Sequence, residues 1–254
     1  MINIDLSRKI AVVTGASGEL GRVITRTLAD SGADVVIHYH HGQARAEELL
    51  AEIRAKGVRA MTCQADITNA AAVGAMQQAI KQTLGDPDII VNNAVIQYKW
   101  TTVLEQGLED YEGQFRSCTL QNVIMAKTFA PAMIQKHWGR IIAINTECAM
   151  QNFPNQSAYV SGKRGMDGVL RVLAKEIGEH QVTVNQVAPG WMISDKYRVT
   201  GEERQPDYEK NVPLKRRGYD QDIANAVVFL ASDLAAFITG AYIPVSGGNV
   251  MPTI

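Results

Sequence analysis

The stretch "SAYVSGKRG" at residues 157–165 places Tyr159 four residues before Lys163. On an α-helix, side chains four positions apart lie on the same face. A free tyrosine has a pKa near 10, and a nearby ammonium group lowers that pKa because it stabilises the phenolate. Lowering the pKa by about 3 requires about 4 kcal/mol. The pair therefore fits acid–base chemistry on a substrate oxygen, although an isolated pair of this spacing also fits an ordinary surface contact.

A glycine-rich turn, "TGASGELGR", occupies residues 14–22, directly after an apolar run. Gly15 permits a tight turn, Gly18 lets the backbone approach a pyrophosphate, and Gly21 lets a helix pack on a strand. The amides and dipole of the helix that follows favour phosphate at its N-terminus. The spacing predicts a dinucleotide site that includes Gly15, Ser17, Gly18 and Gly21.

The second apolar run ends in "HYHHGQAR", with His38, His40, His41 and Arg45 close together. Sites that select NAD usually carry an acidic residue here, which bonds the ribose 2′-hydroxyl. No acid is present in this stretch. We predict a pocket for a 2′-phosphate formed by His38 and His40, and hence a preference for NADP(H) over NAD(H). A metal site and plain polar residues at a strand end are the alternatives.

Apolar runs of strand length alternate with segments of helical period along the chain. The runs lie at residues 10–15, 33–39, 58–66, 88–94, 139–145 and 182–190. Short apolar strands separated by helices are typical of a parallel sheet covered on both faces. Right-handed crossovers then give a doubly wound arrangement. We predict an α/β Rossmann fold in a single domain over residues 1–254.

Residues 191–217 form a polar, irregular stretch after the last of these runs. Long connections at the carboxyl end of a strand often carry function in this type of fold. We predict that this stretch is a substrate lid.

The chain has 254 residues, 46% hydrophobic and 20% charged, with a formal net charge of −1. This balance does not favour nucleic acid or an anionic membrane, and no apolar run reaches the roughly 18 residues of a membrane span. The first run ends in the glycine turn, as expected for a buried strand rather than a signal peptide. Cys63, Cys118 and Cys148 lack metal-type spacing and favour a reducing compartment. We expect a cytoplasmic protein without a metal site.

Several motifs occur in order along the chain: "TGASGELG", "NNA" at 92–94, "YVSGK" at 159–163, "PG" at 189–190 and "ITGAYIPVSGG" at 238–248. Together they resemble the short-chain dehydrogenase/reductase family over nearly the whole chain, and most closely its 3-oxoacyl-carrier-protein reductase-like members. The resemblance implies hydride transfer between NAD(P) and a carbonyl or alcohol. It makes Tyr159 the general acid, has Lys163 lower the pKa of Tyr159 and bind the nicotinamide ribose, and puts Thr146 where the family has a serine.

The same resemblance implies further contacts to the cofactor. Asp66 would contact adenine and Asn92 would lie under the cofactor. Ser194, five residues after Pro189, would bond the carboxamide, and Pro189 would belong to the same site. Because family members usually assemble as tetramers, the resemblance also implies a homotetramer.

Four positions depart from the family pattern. Glu19 stands at the usual middle glycine of the turn, where a carboxylate repels a pyrophosphate unless it points outward. Val95 replaces the last glycine of NNAG, and Thr146 replaces the serine. The family's relay asparagine falls at Cys118, whose thiol lacks the paired donor and acceptor of an amide. Asn122, one turn later, could compensate.

The leading hypothesis is an NADPH-dependent ketoreductase acting on a bulky, partly apolar ketone or β-keto ester. Four aromatic residues are candidates for its pocket, although core or oligomer contacts suit each equally well: Trp100, Phe153, Trp191 and Tyr197. The departures at Glu19, Val95 and Cys118 favour an alternative, an NADP(H)-binding sensor or oligomer partner with little or no catalysis. A third hypothesis, a dehydratase or epimerase, rests only on the TGxxGxxG spacing of the turn.

Overall fold

The computed structural model describes residues 4–252. Its strands are β1 (Ile10–Val13), β2 (Asp34–Tyr39), β3 (Ala60–Gln64), β4 (Ile89–Asn92), β5 (Gly139–Ile144), β6 (Val182–Pro189), β7 (Met192–Ile193), β8 (Gly218–Tyr219) and β9 (Tyr242–Val245). Its α-helices are α1 (Glu19–Asp30), α2 (Gln43–Arg54), α3 (Ala70–Thr83), α4 (Leu108–Gln114), α5 (Gln121–Lys136), α6 (Cys148–Gln151), α7 (Ser157–Ile177), α8 (Asp195–Thr200), α9 (Pro206–Glu209) and α10 (Asp220–Ala231). Over residues 4–252, no helix combines the length and apolar character needed to cross a bilayer.

Seven strands form one parallel sheet in the order β3-β2-β1-β4-β5-β6-β9. The strand order reverses between β1 and β4, so the connections that follow these two strands diverge at the carboxyl edge of the sheet. This divergence leaves a crevice where the glycine turn lies. The predicted doubly wound α/β Rossmann fold is therefore confirmed.

Helices cover both faces of the sheet, which explains why its central strands are continuous apolar runs. Leu28 of α1 and Ile53 of α2 belong to the core on one face, together with residues of α10. Met76 of α3, Phe129 of α5 and Leu170 of α7 belong to the core on the other face. Helix α7 therefore packs on the same sheet that carries the glycine turn.

The edge strand β9 lies outside the apolar runs identified in the sequence. It pairs in parallel with β6, with Gln186 opposite Tyr242 and Pro189 opposite Val245. All four of its residues are only partly buried. Its sequence, YIPV, is apolar, but the proline within it weakens the strand signal, since proline in a sheet is confined to edge strands.

Residues 191–217, called the lid segment from here on, contain β7, α8 and α9. Arg217 closes the base of this segment and is only 1% exposed. Its guanidinium donates to the carbonyl oxygens of Met192 at 2.7 Å and Glu202 at 3.0 Å. The lid segment is thus tied together by an interior cation bonded to its own backbone.

Candidate active and cofactor site

The glycine turn lies between β1 and α1 and is built from close backbone approaches. Gly15 has a φ of +64°, a conformation that favours glycine. A Cβ at Gly21 would collide with the Gly15 carbonyl oxygen and come within 2.9 Å of the Ala16 Cα. The turn therefore holds the start of α1 tightly against the end of β1, as the sequence predicts for Gly15 and Gly21.

Two residues that the sequence reasoning did not single out hold this turn against β4. The Asn93 side chain donates to the Thr14 carbonyl oxygen at 2.9 Å. The Thr14 hydroxyl accepts from the amides of Asn93 at 2.9 Å and Ala94 at 3.0 Å. The motifs "TG" and "NNA" are the signal that could have identified them, because each supplies one side of this junction.

His38 does not face a ribose phosphate, so the prediction for this residue needs correction. It is 1% exposed, inside the buried strand β2. Its Nδ1 accepts from the Gly15 amide at 3.0 Å, and its Nε2 lies 3.0 Å from the Ala65 carbonyl oxygen, to which it donates. Both ring nitrogens are therefore used to fix the glycine turn. Burial lowers the pKa of His38 to about 4.

We expect acid to destabilise the protein through His38. Its folded pKa, about 4, lies below the usual 6.5, so the unfolded state binds the proton more tightly. The stability contributed by neutral His38 is therefore present above pH 6.5 and lost as pH falls toward 4, with a loss of about 2 kcal/mol at pH 5. The free energy of unfolding in urea should fall between pH 7 and pH 5 in the wild type, and this fall should be smaller by about 2 kcal/mol in a His38→Asn variant. The partly exposed His180, changed to Gln, serves as the matched control; an unchanged pH dependence in His38→Asn would contradict the assignment.

The remaining basic residues after β2 are exposed. His40 and His41 lie in the turn before α2 with ring centroids 3.7 Å apart, and Arg45 is in the first turn of α2. That first turn carries no acidic residue. The Ser17 side chain approaches Gly42, where an added Cβ would lie 2.8 Å from the Ser17 Oγ. The phosphate turn and the basic loop therefore adjoin one another.

Three of the other predicted cofactor residues lie at the carboxyl ends of strands of the main sheet, and the fourth precedes α8. Asp66 follows β3, and its Oδ1 accepts from the Thr68 amide at 2.9 Å and the Thr68 hydroxyl at 2.7 Å. Asn92 ends β4 and is 3% exposed. Pro189 ends β6, and Ser194 precedes α8 as its N-cap residue.

Tyr159, Lys163 and Thr146 meet at this carboxyl edge. Lys163 is 3% exposed, and its Nζ donates to the Ile144 carbonyl oxygen at 2.6 Å. The same Nζ lies 5.7 Å from the centroid of the Tyr159 ring. Thr146 follows β5, is 7% exposed, and lies close enough to the Tyr159 phenol for its hydroxyl to lower the pKa of that phenol. The three predicted catalytic side chains are thus neighbours in space.

The protonation of this group follows from its burial. Burial raises the pKa of the Tyr159 phenol, Cys148 adds to the rise, and the Thr146 hydroxyl opposes it. Burial lowers the pKa of the Lys163 ammonium. The pKa of Tyr159 is thus raised, opposite to the lowering that the resemblance implies, because removal from water is the largest effect on the phenol. At neutral pH the phenol carries its proton and can donate it.

A chain of amide side chains fixes α7 to the sheet. Asn145 donates to the Gln186 Oε1 at 2.7 Å and to the Lys163 carbonyl oxygen at 3.3 Å. Gln186 in turn donates to the Asp167 carboxylate at 2.7 Å. These bonds join the end of β5, β6 and α7, so the helix that carries Tyr159 and Lys163 is fixed to the sheet.

Glu19 and Val95, which depart from the family pattern, both have partners outside the phosphate position. One oxygen of Glu19 accepts from the Lys196 amide of α8 at 3.1 Å, and the other accepts from Arg22 at 3.3 Å. Arg22 also pairs with Asp195 at 2.8 Å. Val95 packs against the core formed by α3, α5 and α7. Glu19 therefore joins the start of α1 to the lid segment.

Cys118 lies in a single π-helical stretch, Phe115–Leu120, between α4 and α5. It is fully buried, and its thiol faces the Gln114 Oε1 at 3.5 Å. Asn122 donates to the Cys118 carbonyl oxygen at 2.6 Å and accepts from Asn92 at 2.7 Å. The amide at Asn122 thus joins the end of β4 to the backbone at Cys118, as π-helical insertions near functional sites often do.

The candidate pocket aromatics fall into separate groups. Trp100 stacks on Tyr159 with ring centroids 6.0 Å apart and an interplanar angle of 24°. Trp191 and Tyr197 belong to the lid segment, where the indole N–H donates to the Tyr197 hydroxyl at 3.1 Å. Phe153, 43% exposed, lies between α6 and α7. Trp100 is the member of the group that directly contacts a predicted catalytic side chain.

The parallel sheet and the glycine turn define a Rossmann-type protein, with Tyr159 and Lys163 together at the carboxyl edge of its sheet. A family model described as Enoyl-(Acyl carrier protein) reductase matches residues 15–249. The 3-oxoacyl-(acyl-carrier-protein) reductase FabG of Staphylococcus aureus is 36% identical over 253 residues, covering 96% of this chain and 98% of the relative. The corresponding reductase of Pseudomonas aeruginosa is 36% identical over 248 residues, covering 97% and 99%.

Two solved structures have the same fold over nearly their whole length. One is a 7α-hydroxysteroid dehydrogenase complexed with NADH and 7-oxo glycochenodeoxycholic acid, with a TM-score of 0.88, 30% identity and coverage of 98% and 97%. The other is the promiscuous reductase LugOII, which catalyses keto-reduction at C1 during lugdunomycin biosynthesis, with a TM-score of 0.88, 28% identity and coverage of 97% and 99%. The chain belongs to the short-chain dehydrogenase/reductase family of oxidoreductases, and within it is similar to the 3-oxoacyl-(acyl-carrier-protein) reductases.

Proposed function

We propose that this protein reduces a ketone to an alcohol with NADPH, and that Tyr159 is the general acid. The observation that carries the proposal is the meeting of Tyr159, Thr146 and the buried Lys163 at the carboxyl edge of the sheet. Ligands of doubly wound sheets bind at this edge, near the reversal of strand order. Relatives that reduce 3-oxoacyl and other keto groups support the same chemistry.

The residues present fit a dinucleotide. Gly18 is the N-cap residue of α1, and within the described residues no side chain caps this N-terminus, so it is available to a pyrophosphate. The Asn92 Oδ1 is buried and has no hydrogen-bond partner within residues 4–252, so it can accept a bond from a ligand. We propose that Gly15, Ser17 and Gly18 contact the pyrophosphate and that Asp66, Asn92, Pro189 and Ser194 line the rest of the site.

When bound, NADPH supplies the hydride that reduces the substrate carbonyl. Tyr159 donates its phenolic proton to the carbonyl oxygen, and the Thr146 hydroxyl hydrogen-bonds to the same oxygen. Lys163 uses one N–H on Ile144, which leaves two donors for ribose hydroxyls, and its charge stabilises the phenolate that remains after proton donation. Because burial raises the pKa of Tyr159, the acid form is available at neutral pH, which supports the reductive direction.

The proposed preference for NADPH over NADH rests on His40, His41 and Arg45. We expect Arg45→Ala to weaken NADPH binding by about tenfold and leave NADH binding within about twofold, because a charged hydrogen bond to phosphate contributes about 1.5–3 kcal/mol. Calorimetric titration with each cofactor measures this difference. The matched control is Arg59→Ala, since Arg59 pairs with Asp34 at 2.6 Å at the opposite edge of the sheet. Equal losses for both cofactors in Arg45→Ala would refute a 2′-phosphate pocket.

The pocket suits a bulky, partly apolar ketone. Trp100 is 44% exposed beside Tyr159, and Trp191 is 40% exposed in the lid segment. Such amphipathic rings cover apolar ligand surface at a small entropic cost. We propose bulky ketones and β-keto esters as the substrate class.

A panel of such ketones, with NADPH oxidation as the readout, tests the proposal. Turnover of at least one member supports it. Tight NADPH binding with no turnover across the panel would instead support a cofactor sensor or an inactive oligomer partner. Of the three departures that favour this alternative, Glu19 bonds to the lid segment and Val95 packs on the core, whereas the charge of Lys163 acts on Cys118.

We also propose a homotetramer in a reducing, cytoplasmic environment. An apolar groove between α5 and α7 is lined by Ala126, Ala130, Val169 and Val172, and Val172 is 56% exposed. An apolar face of this kind is covered by association with another surface. Light scattering at micromolar concentration measures the assembly; a mass of one chain would contradict the proposal.

A further inference from the structure

Glu147 is a buried carboxylate next to Thr146. It is 3% exposed. Its Oε1 accepts from the Tyr208 hydroxyl at 2.8 Å, and its Oε2 accepts from the Asn249 side chain at 3.0 Å. Burial raises the pKa of Glu147, and these bonds oppose the rise. A buried carboxylate held by two donors on separate segments is a costly arrangement unless the segments need to be held together.

The partners of Glu147 come from distant parts of the chain. Tyr208 lies on α9 of the lid segment, and Asn249 lies in the loop after β9. The Glu147 amide donates to the Pro189 carbonyl oxygen at 2.9 Å, which ties the same turn to the end of β6. The turn that carries Thr146 is therefore joined directly to the lid segment.

The Tyr208 hydroxyl fits this position closely. It donates to Glu147 and accepts from the Trp191 amide at 2.9 Å. The Trp191 ring packs edge-on against the Tyr208 ring with centroids 5.6 Å apart. A Cβ at Gly190 would lie 2.6 Å from the Tyr208 hydroxyl and 3.2 Å from the Glu147 Oε2. The absence of a side chain at Gly190 therefore makes room for the contact.

We propose that Glu147 is a positioning residue that holds the lid segment against the catalytic turn through Tyr208. The expected effect of this contact on ketone reduction rests on the proposed function, whereas its effect on the position of the lid segment does not. The contact sets where Trp191 and α9 stand relative to Thr146. The proton and hydrogen-bond donors to the substrate, Tyr159 and Thr146, do not depend on it.

Tyr208→Phe removes the hydroxyl and keeps the ring. We expect the KM for the ketone to rise at least about tenfold, because a hydrogen bond to a buried carboxylate is lost, while kcat stays within about threefold. The affinity for NADPH should stay within about twofold. Glu147→Gln should act in the same direction, and the double variant should show less than the sum of the two effects because the residues share one contact. Tyr219→Phe is the matched control, since that ring is 46% exposed at the base of the lid segment.

Amide hydrogen exchange gives a readout that does not need turnover. The amides of Tyr208 and Glu209 donate to the Gln205 carbonyl oxygen at 3.0 and 2.9 Å, and that of Lys210 donates to Pro206 at 3.0 Å. Their exchange should be at least about tenfold faster in Tyr208→Phe and Glu147→Gln and unchanged in Tyr219→Phe.

The two readouts separate the two proposals. Faster exchange in a protein that reduces no ketone would support the anchor and count against the proposed function. Normal exchange and an unchanged KM in Tyr208→Phe, in a protein that does reduce ketones, would overturn the anchor alone. A lower kcat at unchanged KM would also overturn it, because Glu147 would then act on the chemistry rather than on the lid segment.

Discussion

Tyr159→Phe is expected to lower ketone reduction at least about 10³-fold, because the general acid is removed and such acids contribute roughly 10²–10⁴-fold. The phenol lies beside Thr146, and burial raises its pKa, so it carries its proton at neutral pH. The loss should fall on kcat and kcat/KM together, since the bond to the developing alkoxide exists only in the transition state. Affinity for NADPH should stay within about twofold.

Tyr111→Phe is the matched control for this substitution. The Tyr111 hydroxyl lies 2.7 Å from the Ser157 Oγ, so the control also removes a partly buried hydroxyl at the start of α7. It should keep turnover within about threefold of the wild type. Retained turnover in Tyr159→Phe, with normal turnover in Tyr111→Phe, would rule out Tyr159 as the acid.

Gly21→Ala should lose most of its affinity for NADPH, by about 100-fold or more. The new Cβ would collide with the Gly15 carbonyl oxygen, so α1 must move away from the turn. Overpacking against backbone costs about 1–3 kcal/mol or more, and about 3 kcal/mol corresponds to about 100-fold in affinity. Calorimetric titration with NADPH measures the loss directly, and circular dichroism checks that the variant folds.

Gly74→Ala is the control, because nothing lies within 4 Å of a Cβ built at that position in α3. It should raise stability by about 0.5–1 kcal/mol, the usual difference between glycine and alanine in a helix. Its affinity for NADPH should equal that of the wild type. Normal affinity in Gly21→Ala would mean that the turn does not form the phosphate site.

The sequence was informative wherever local pattern determines structure. Fully apolar strands must lie in a parallel sheet covered on both faces, so the fold follows from runs such as "IAVV" and "GRIIAI". The spacing of Tyr159 and Lys163 places them on one helix face because residues four apart are neighbours on a helix surface. The edge strand β9 is not predicted in this way because its apolar sequence, YIPV, contains a proline, which argues against a strand in the sheet interior.

The burial of His38 could be predicted from its position in the sequence. Its place inside β2 predicts burial, because both faces of that strand are covered, and burial disfavours a cationic phosphate ligand. A histidine can bind a 2′-phosphate, but the position of His38 inside the strand indicates a structural role. The exposed His40 and Arg45, beyond or near the end of the strand, remain candidates for that pocket.

The directions of Glu19 and Glu147 depend on tertiary contacts that no local pattern encodes. Glu19 bonds Lys196, 177 residues away, and Glu147 bonds Tyr208, 61 residues away. The sequence alone suggests that Glu19 repels a pyrophosphate, and it gives no role to Glu147. Both prove to anchor the lid segment, one at the glycine turn and the other at the catalytic turn.

The central claim is hydride transfer to a ketone beside Tyr159, and an isotope experiment tests it most directly. The protein is mixed with a reactive ketone and NADPH carrying two deuterium atoms at the nicotinamide C4, and the product is examined by mass spectrometry. We predict an alcohol with one deuterium on the carbinol carbon from the wild type and at least about 10³-fold less of it from Tyr159→Phe. Cofactor binding without labelled alcohol, or equal labelling by both proteins, would contradict the claim.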